Sequence, residues 1–242
     1  MEGILATSDL VVGSHVGSFP VAKAANLSQR VKIVGLGCQA FNHALQQTKI
    51  IQGAFERHFG CPITAWNVGH DLSDGFLNIS ANYFTRSNGT DGLEAVPAGD
   101  GVDPFSTLPK FKAAGLMHTI DNVVKYYKKS VDAKGEASYD KIYPGTFRVG
   151  DIVEARASAT VIRGKQRALK IHFHLHTLIL LDPQFSKAAE DKRVKAIPLA
   201  GSKKRLRKRR ATVDEDLDVG EARKRLKELA VTDSDDIDRM PM

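Results

Sequence analysis

FRVGDIVEARASATVIRGKQRALKIHFHLHTLILLD, running from Phe147 to Asp182, is the stretch whose reading decides the fold. Successive strand residues face opposite ways, so a two-residue period separates a buried face from a wet one. Both halves show that period: Val153, Ala155, Ala157, Ala159 and Val161 share the odd positions of the first, with Glu154, Arg156, Ser158 and Thr160 between them. In the second, Leu169, Ile171, Phe173, Leu175 and Ile179 are odd, while Lys170, His172, His174 and His176 are even. The stretch therefore predicts a long β-hairpin with its odd face buried, reversing at Arg163, Gly164, Lys165 and Gln166. Pairing odd with odd requires a loop of odd length, and the simplest register sets Arg163 opposite Arg167. That places Ser158 opposite His172, Arg156 opposite His174 and Glu154 opposite His176. A three-residue loop usually carries its glycine last; Gly164 would come first, which leaves a longer loop open.

Working outward, Arg30 onward reads RVKIVGLGCQA and then a helical stripe, Phe41, Leu45, Thr48, Ile51, Phe55 and Phe59, stopped by Gly60 and Pro62. This predicts a helix over Gln39 to Phe59. Strands are expected at Ile63 to Val68 and Phe76 to Phe84, and an edge strand at Leu10 to Val12. Residues 86–104 are dense in Gly, Pro, Asn and Asp and read as a long loop, functional or mobile by its length. Phe111 to Lys129 fits either a helix broken at Gly115 or a helix followed by a strand. The expected fold class is α+β: an antiparallel or mixed sheet built around the 147–182 hairpin, one or two packed helices, and a disordered charged C-terminal tail. Residues 1–183 form the domain and 184–242 the tail.

The net charge of +7 over 242 residues is unevenly spread. Residues 1–182 carry 19 basic against 16 acidic side chains, 183–210 carry 11 against 2, and 211–242 carry 5 against 10. The domain is near neutral, and the basicity belongs to Lys203, Lys204, Arg205, Arg207, Lys208, Arg209 and Arg210. Such density reads as a nuclear import signal or a nucleic-acid-binding patch, with Lys192 and Arg193 upstream suiting a two-part signal. The same side chains neutralise phosphates. An acidic segment over 214–242 follows, with a short helix expected at 217–230. Cys38 and Cys61 are too few for a disulfide framework. The start MEGILATSDLVVGSHVG lacks the basic and apolar run of a secretory signal, and no stretch suits a membrane span. The expected compartment is the nucleus, and the expected partners are an import receptor, nucleic acid or chromatin, or another protein, with no membrane.

Three constellations touch on chemistry. Gly35, Gly37 and Ala40 satisfy G-x-G-x-x-G/A at a strand-to-helix junction, as a dinucleotide-dependent enzyme would require. The acid expected about 20 residues on is absent, and the alternative is a tight turn packing a helix on a sheet. His172 and His174 are spaced to chelate a divalent metal. Three histidines in a straight row close a tetrahedral site poorly, since a rise of about 3.3 Å per residue sets the outer two about 13 Å apart. Arg156, Lys170, His172, His174 and His176 also form a candidate binding face. Cys38 at a helix N-terminus is a candidate nucleophile, or a small packed cysteine. No catalytic residue and no cofactor are expected, so a non-enzymatic reading leads.

FRVGDIVEA resembles the opening of small β-barrels such as the OB fold, where G-D-x-V starts a strand crossing a nucleic-acid-binding face. Thirty-six residues are too few for a five-stranded barrel unless earlier strands complete it, and stacking aromatics are missing from the hairpin's even positions. The segment PGTFRVGDIVEARASATVI through HTLILLD, roughly Tyr143 to Asp182, is also similar to uncharacterised proteins numerous in mushroom-forming (agaricomycete) fungi. That resemblance implies no known activity.

Overall fold

The predicted hairpin forms, as β9 (Ile152–Arg163) and β10 (Leu169–Asp182), in a computed structural model that describes residues 1–64, 70–71, 74–87, 94–99, 101–164 and 168–196. Its loop, Gly164 to Ala168, has five residues, so parity holds but the register moves by two: Arg163 faces Leu169, Thr160 faces His172 and Ser158 faces His174. A bulge at His176 then slips the ladder by one, setting Arg156 opposite Thr177 and Glu154 opposite Ile179. Beyond the bulge, burial passes to Leu178, Ile179 and Leu180. The odd face is buried at Val153, Ala155, Ile171, Phe173 and Leu175, whereas Ala157 is exposed and Ala159 and Val161 are half-buried. The asymmetry follows from what lies alongside. Thr64 bridges to Lys170 beside β10, while β9 pairs with β1 only over Ile152–Glu154.

The first four strands of its sheet in chain order are β1 (Glu2–Asp9), β2 (Ser28–Val34), β3 (His70–Asp71) and β4 (Asp74–Asn82), with the short α1 (Val21–Ala24) and long α2 (Gln39–Phe59) between them. β5 (Thr85–Arg86) and β6 (Leu116–Met117) form a separate ribbon; β7 (Lys125–Val131), β8 (Ala137–Lys141) and α3 (Gln184–Ala196) complete the set. The main sheet runs β3-β4-β2-β1-β9-β10-β7-β8, and β4 also pairs with β10. That last contact closes β1, β2, β4, β10 and β9 into a barrel. β4 and β10 are parallel, and the other four barrel pairs are antiparallel. A closed five-stranded barrel with this crossed connectivity is the Greek-key architecture of OB folds. The earlier strands thus supply what the hairpin alone lacks, and β10 serves two neighbours in turn: β4 at His174, then β7 from Thr177 to Leu180.

The helix has the limits its periodicity predicts. Gly60 adopts φ 65° and its N–H reaches the Glu56 carbonyl, the left-handed stop that favours glycine. Phe41 and Thr48 are buried, and Leu45 and Phe55 pack half-buried against the core, but Ile51 and Phe59 are exposed, so the stripe is fully buried only in its first half. Gly35 is where that half closes on the barrel: a Cβ there would stand 2.5 Å from the Phe41 ring. β2 before the turn and β4 after the helix are antiparallel, which corrects the dinucleotide reading, because that motif needs a parallel crossover. The alternative of a tight turn packing a helix on a sheet fits this geometry. Cys38 occupies the helix N-cap and is exposed.

Other differences are local. The edge strand expected at Leu10 to Val12 is replaced by β1, which ends at Asp9 and lies inside the sheet. Phe111 to Lys129 resolves into a 3-10 turn (Leu108–Ala114) ending at Gly115, φ 72°, then strands. Residues 184–196, read from composition as the start of the tail, form α3. Ser186 is buried there, its hydroxyl donating to the Asp151 carboxylate, and Arg148 pairs with Glu190 at 3.0 Å. No helix among the described residues is long and apolar enough to cross a membrane.

Candidate nucleic-acid interface

Alternation along β2 and β4 buries one set of side chains and turns the other outward. Val31 and Ile33 are buried between Arg30, Lys32 and Val34; Leu77, Ile79 and Ala81 are buried between Phe76, Asn78, Ser80 and Asn82. The register sets Arg30 beside Ser80, Lys32 beside Asn78 and Val34 beside Phe76. The Lys32 ammonium stands 3.9 Å from the Phe76 ring centroid, a cation–π contact. Arg30 is exposed and its Nε donates to Ser28 Oγ at 2.6 Å. Because β4 pairs with β10 at Ser80 and His174, the row Arg30, Ser80, His174, Ser158 crosses four strands. One outer face therefore holds two cations, an aromatic ring, small polar groups and two of the histidines.

The histidines form a ladder, with ring centroids 6.2 Å apart between His172 and His174 and 4.9 Å between His174 and His176. His174 donates through Nε2 to the Asp121 carbonyl at 3.0 Å, and His176 Nε2 bonds the Ser158 hydroxyl at 2.8 Å. His172 Nε2 is buried without a partner. Burial first and the neighbouring His174 second hold both His172 and His176 below the ordinary imidazole range. No group of three or more His, Cys, Asp and Glu side chains is assembled for a metal among the described residues. Glu154, expected opposite His176, instead holds Arg156 at 2.8 Å. Arg156 and Lys170 are exposed on the hairpin, Arg156 opposite Thr177 rather than His174.

The lowered imidazole pKa values make folding stability depend on pH. The unfolded imidazole titrates near 6.5 and the folded ones lower, so between those values the unfolded chain binds more protons and stability falls as pH falls. Urea midpoints should decline as pH drops through and below about 6.5, and His172→Gln should decline less. Parallel curves for the two proteins would remove His172 from the account.

A neighbouring surface extends the same composition. β7 and β8 present Lys125, Tyr127 and Lys129 beside Tyr139 and Lys141, with Tyr127 paired to Lys141 and Lys129 to Tyr139. Arg30, Lys32 and Phe76 were not among the sequence-derived candidates. Their signal is present, since SQRVKIV alternates the two cations with Val31 and Ile33 and FLNIS alternates likewise. The basic block Lys203 to Arg210 and the acidic segment 214–242 lie outside the described residues.

No family model and no curated protein matches this chain. Among solved structures, the crystal structure of gp2.5, a single-stranded DNA binding protein encoded by bacteriophage T7, is similar over 75% of this chain and 89% of that chain. The TM-score is 0.35 and the identity 11%.

Proposed function

We propose that this chain is a non-enzymatic nuclear protein that binds single-stranded nucleic acid across the outer face of β2, β4 and β10. The observation that carries the reading is the juxtaposition of Arg30, Lys32 and Phe76 on adjacent strands of a five-stranded Greek-key barrel. Barrels of this kind bind oligonucleotides across their second and third strands, here β2 and β4. Cations track the phosphates and a ring stacks on a base regardless of its identity. The block Lys203, Lys204, Arg205, Arg207, Lys208, Arg209 and Arg210 acts as the import address, recognised by an import receptor, and adds phosphate contacts to nucleic acid or chromatin.

Fluorescence anisotropy across a salt series tests this, using a labelled oligothymidylate and a duplex of equal length. The full chain and a chain lacking residues 201–242 should both bind the single strand. For every phosphate that the tail neutralises, its removal should flatten the log–log salt slope by about 0.7. If neither chain binds, the reading fails; if only the full chain binds, the activity belongs to the tail. A second reading is favoured by β8, an outermost strand exposed along its whole length. Such an edge suits strand addition by a protein partner, with the basic block serving only as an address.

A further inference from the structure

Where β4 ends, the chain builds a cavity outside the face just described. Tyr83 follows Asn82 directly, and its carbonyl accepts a hydrogen bond from His118 Nδ1 at 2.8 Å. That bond places the imidazole proton on Nδ1 and leaves a lone pair on Nε2. His118 is only 7% exposed and its Nε2 has no partner. Burial holds the ring below its ordinary pKa, so it is a neutral acceptor. The same histidine lines a cavity of about 350 Å3 whose walls include Pro97, Leu108, Leu116 and Met117, within the size class of small-ligand sites.

Two charged groups border it. Asp103 is committed to local structure: Oδ1 accepts from the Thr107 amide and hydroxyl, and Oδ2 from the Leu108 amide. Lys112 lines the cavity from an exposed position. The cavity thus has apolar side chains, one buried neutral imidazole and one exposed cation along its lining. A planar heterocycle with an N–H donor and an attached phosphate matches that set. Position links it to the proposed face. Asn82 pairs with Ser28, one outward position beyond the Arg30–Ser80 row. The turn Ile120–Asn122, next to His118 in the chain, meets His174 through the Asp121 carbonyl.

We infer that this cavity is a nucleobase subsite: one base of a bound single strand enters it, donates an N–H to His118 Nε2, and sets its phosphate toward Lys112. This rests on the single-strand reading above. The test uses the full chain and follows the His118 ring nitrogens by NMR while deoxycytidine monophosphate or inorganic phosphate is added, with oligothymidylate anisotropy measured in parallel. The monophosphate should shift Nε2 saturably, and inorganic phosphate should not. Ala95→Trp places bulk at an exposed lining position; it should weaken the nucleotide response at least 10-fold, and the unfolding midpoint checks that the variant folds.

Oligonucleotide binding with a silent His118 would overturn the subsite and leave the face reading standing. Failure of both ligands would overturn both. A His118 response to the monophosphate with no oligonucleotide binding would overturn the strand subsite, leaving a free-nucleotide pocket. A response that inorganic phosphate reproduces, or that survives Ala95→Trp unchanged, would also overturn it.

Discussion

An Arg30→Ala/Phe76→Ala variant is expected to bind single-stranded oligonucleotide on the order of 100-fold more weakly than the parent chain, with little change in stability. Base–aromatic stacking contributes roughly 1–3 kcal/mol per base, and a phosphate-bound arginine adds to it while steepening the salt dependence. Two such losses together reach about 2.7 kcal/mol, which is that factor. Arg30 is exposed and Phe76 half-buried on the barrel's outside, so neither truncation opens a core cavity. Arg30→Ala alone should flatten the salt slope, whereas Phe76→Ala alone should lower affinity and leave the slope unchanged. Anisotropy titrations at several salt concentrations read both. A double variant that binds within about threefold of the parent, an effect under 1 kcal/mol, would move the binding surface elsewhere, with β7 and β8 the next to examine.

Leu175→Ala is expected to cost about 2–5 kcal/mol of folding stability, a large share of the roughly 5–15 kcal/mol that holds most domains. Leu175 is 0% exposed and sits on β10 between the contact that closes the barrel, His174 with Ser80, and the bulge at His176. Truncation there leaves a void that the two ladders on either side of β10 cannot collapse to fill. The urea midpoint should fall with the slope of the transition unchanged. A loss below about 1 kcal/mol would show that the barrel interior is not packed around this side chain. Ala157→Ser provides the contrast. Ala157 shares the odd parity of Leu175 but is exposed, and surface changes of this kind usually stay within about 0.5 kcal/mol.

Ala157 also marks how far side-chain parity carries. Alternation identifies the two strands of the hairpin and the residues that share each face, because pleating is a property of one strand. Whether a face is covered depends on what lies against it, and past Glu154 no strand among the described residues pairs with β9 other than β10. The register is open for a related reason: parity allows any odd loop, and the five-residue loop moves every cross-strand partner by two. The bulge at His176 then leaves Glu154 to Arg156. β1 is hard to read from its residues because its ladder is irregular between Leu5 and Thr7, which breaks the two-residue period that would mark it as a strand.

From its own order of residues the chain determines the limits of α2, the two strands of the hairpin, the alternation that turns Arg30 and Lys32 away from Val31 and Ile33, and the concentration of positive charge at Lys203 to Arg210. Each is local, set by the geometry of one element or by composition. Tertiary structure alone decides that β4 meets β10, closing five strands and bringing Arg30, Phe76 and His174 onto one face. It likewise decides that His118 reaches the Tyr83 carbonyl beside a cavity. Those contacts join segments far apart in the chain, and their selection rests on burying one shared core at the cost of loop closure, a balance no single segment records.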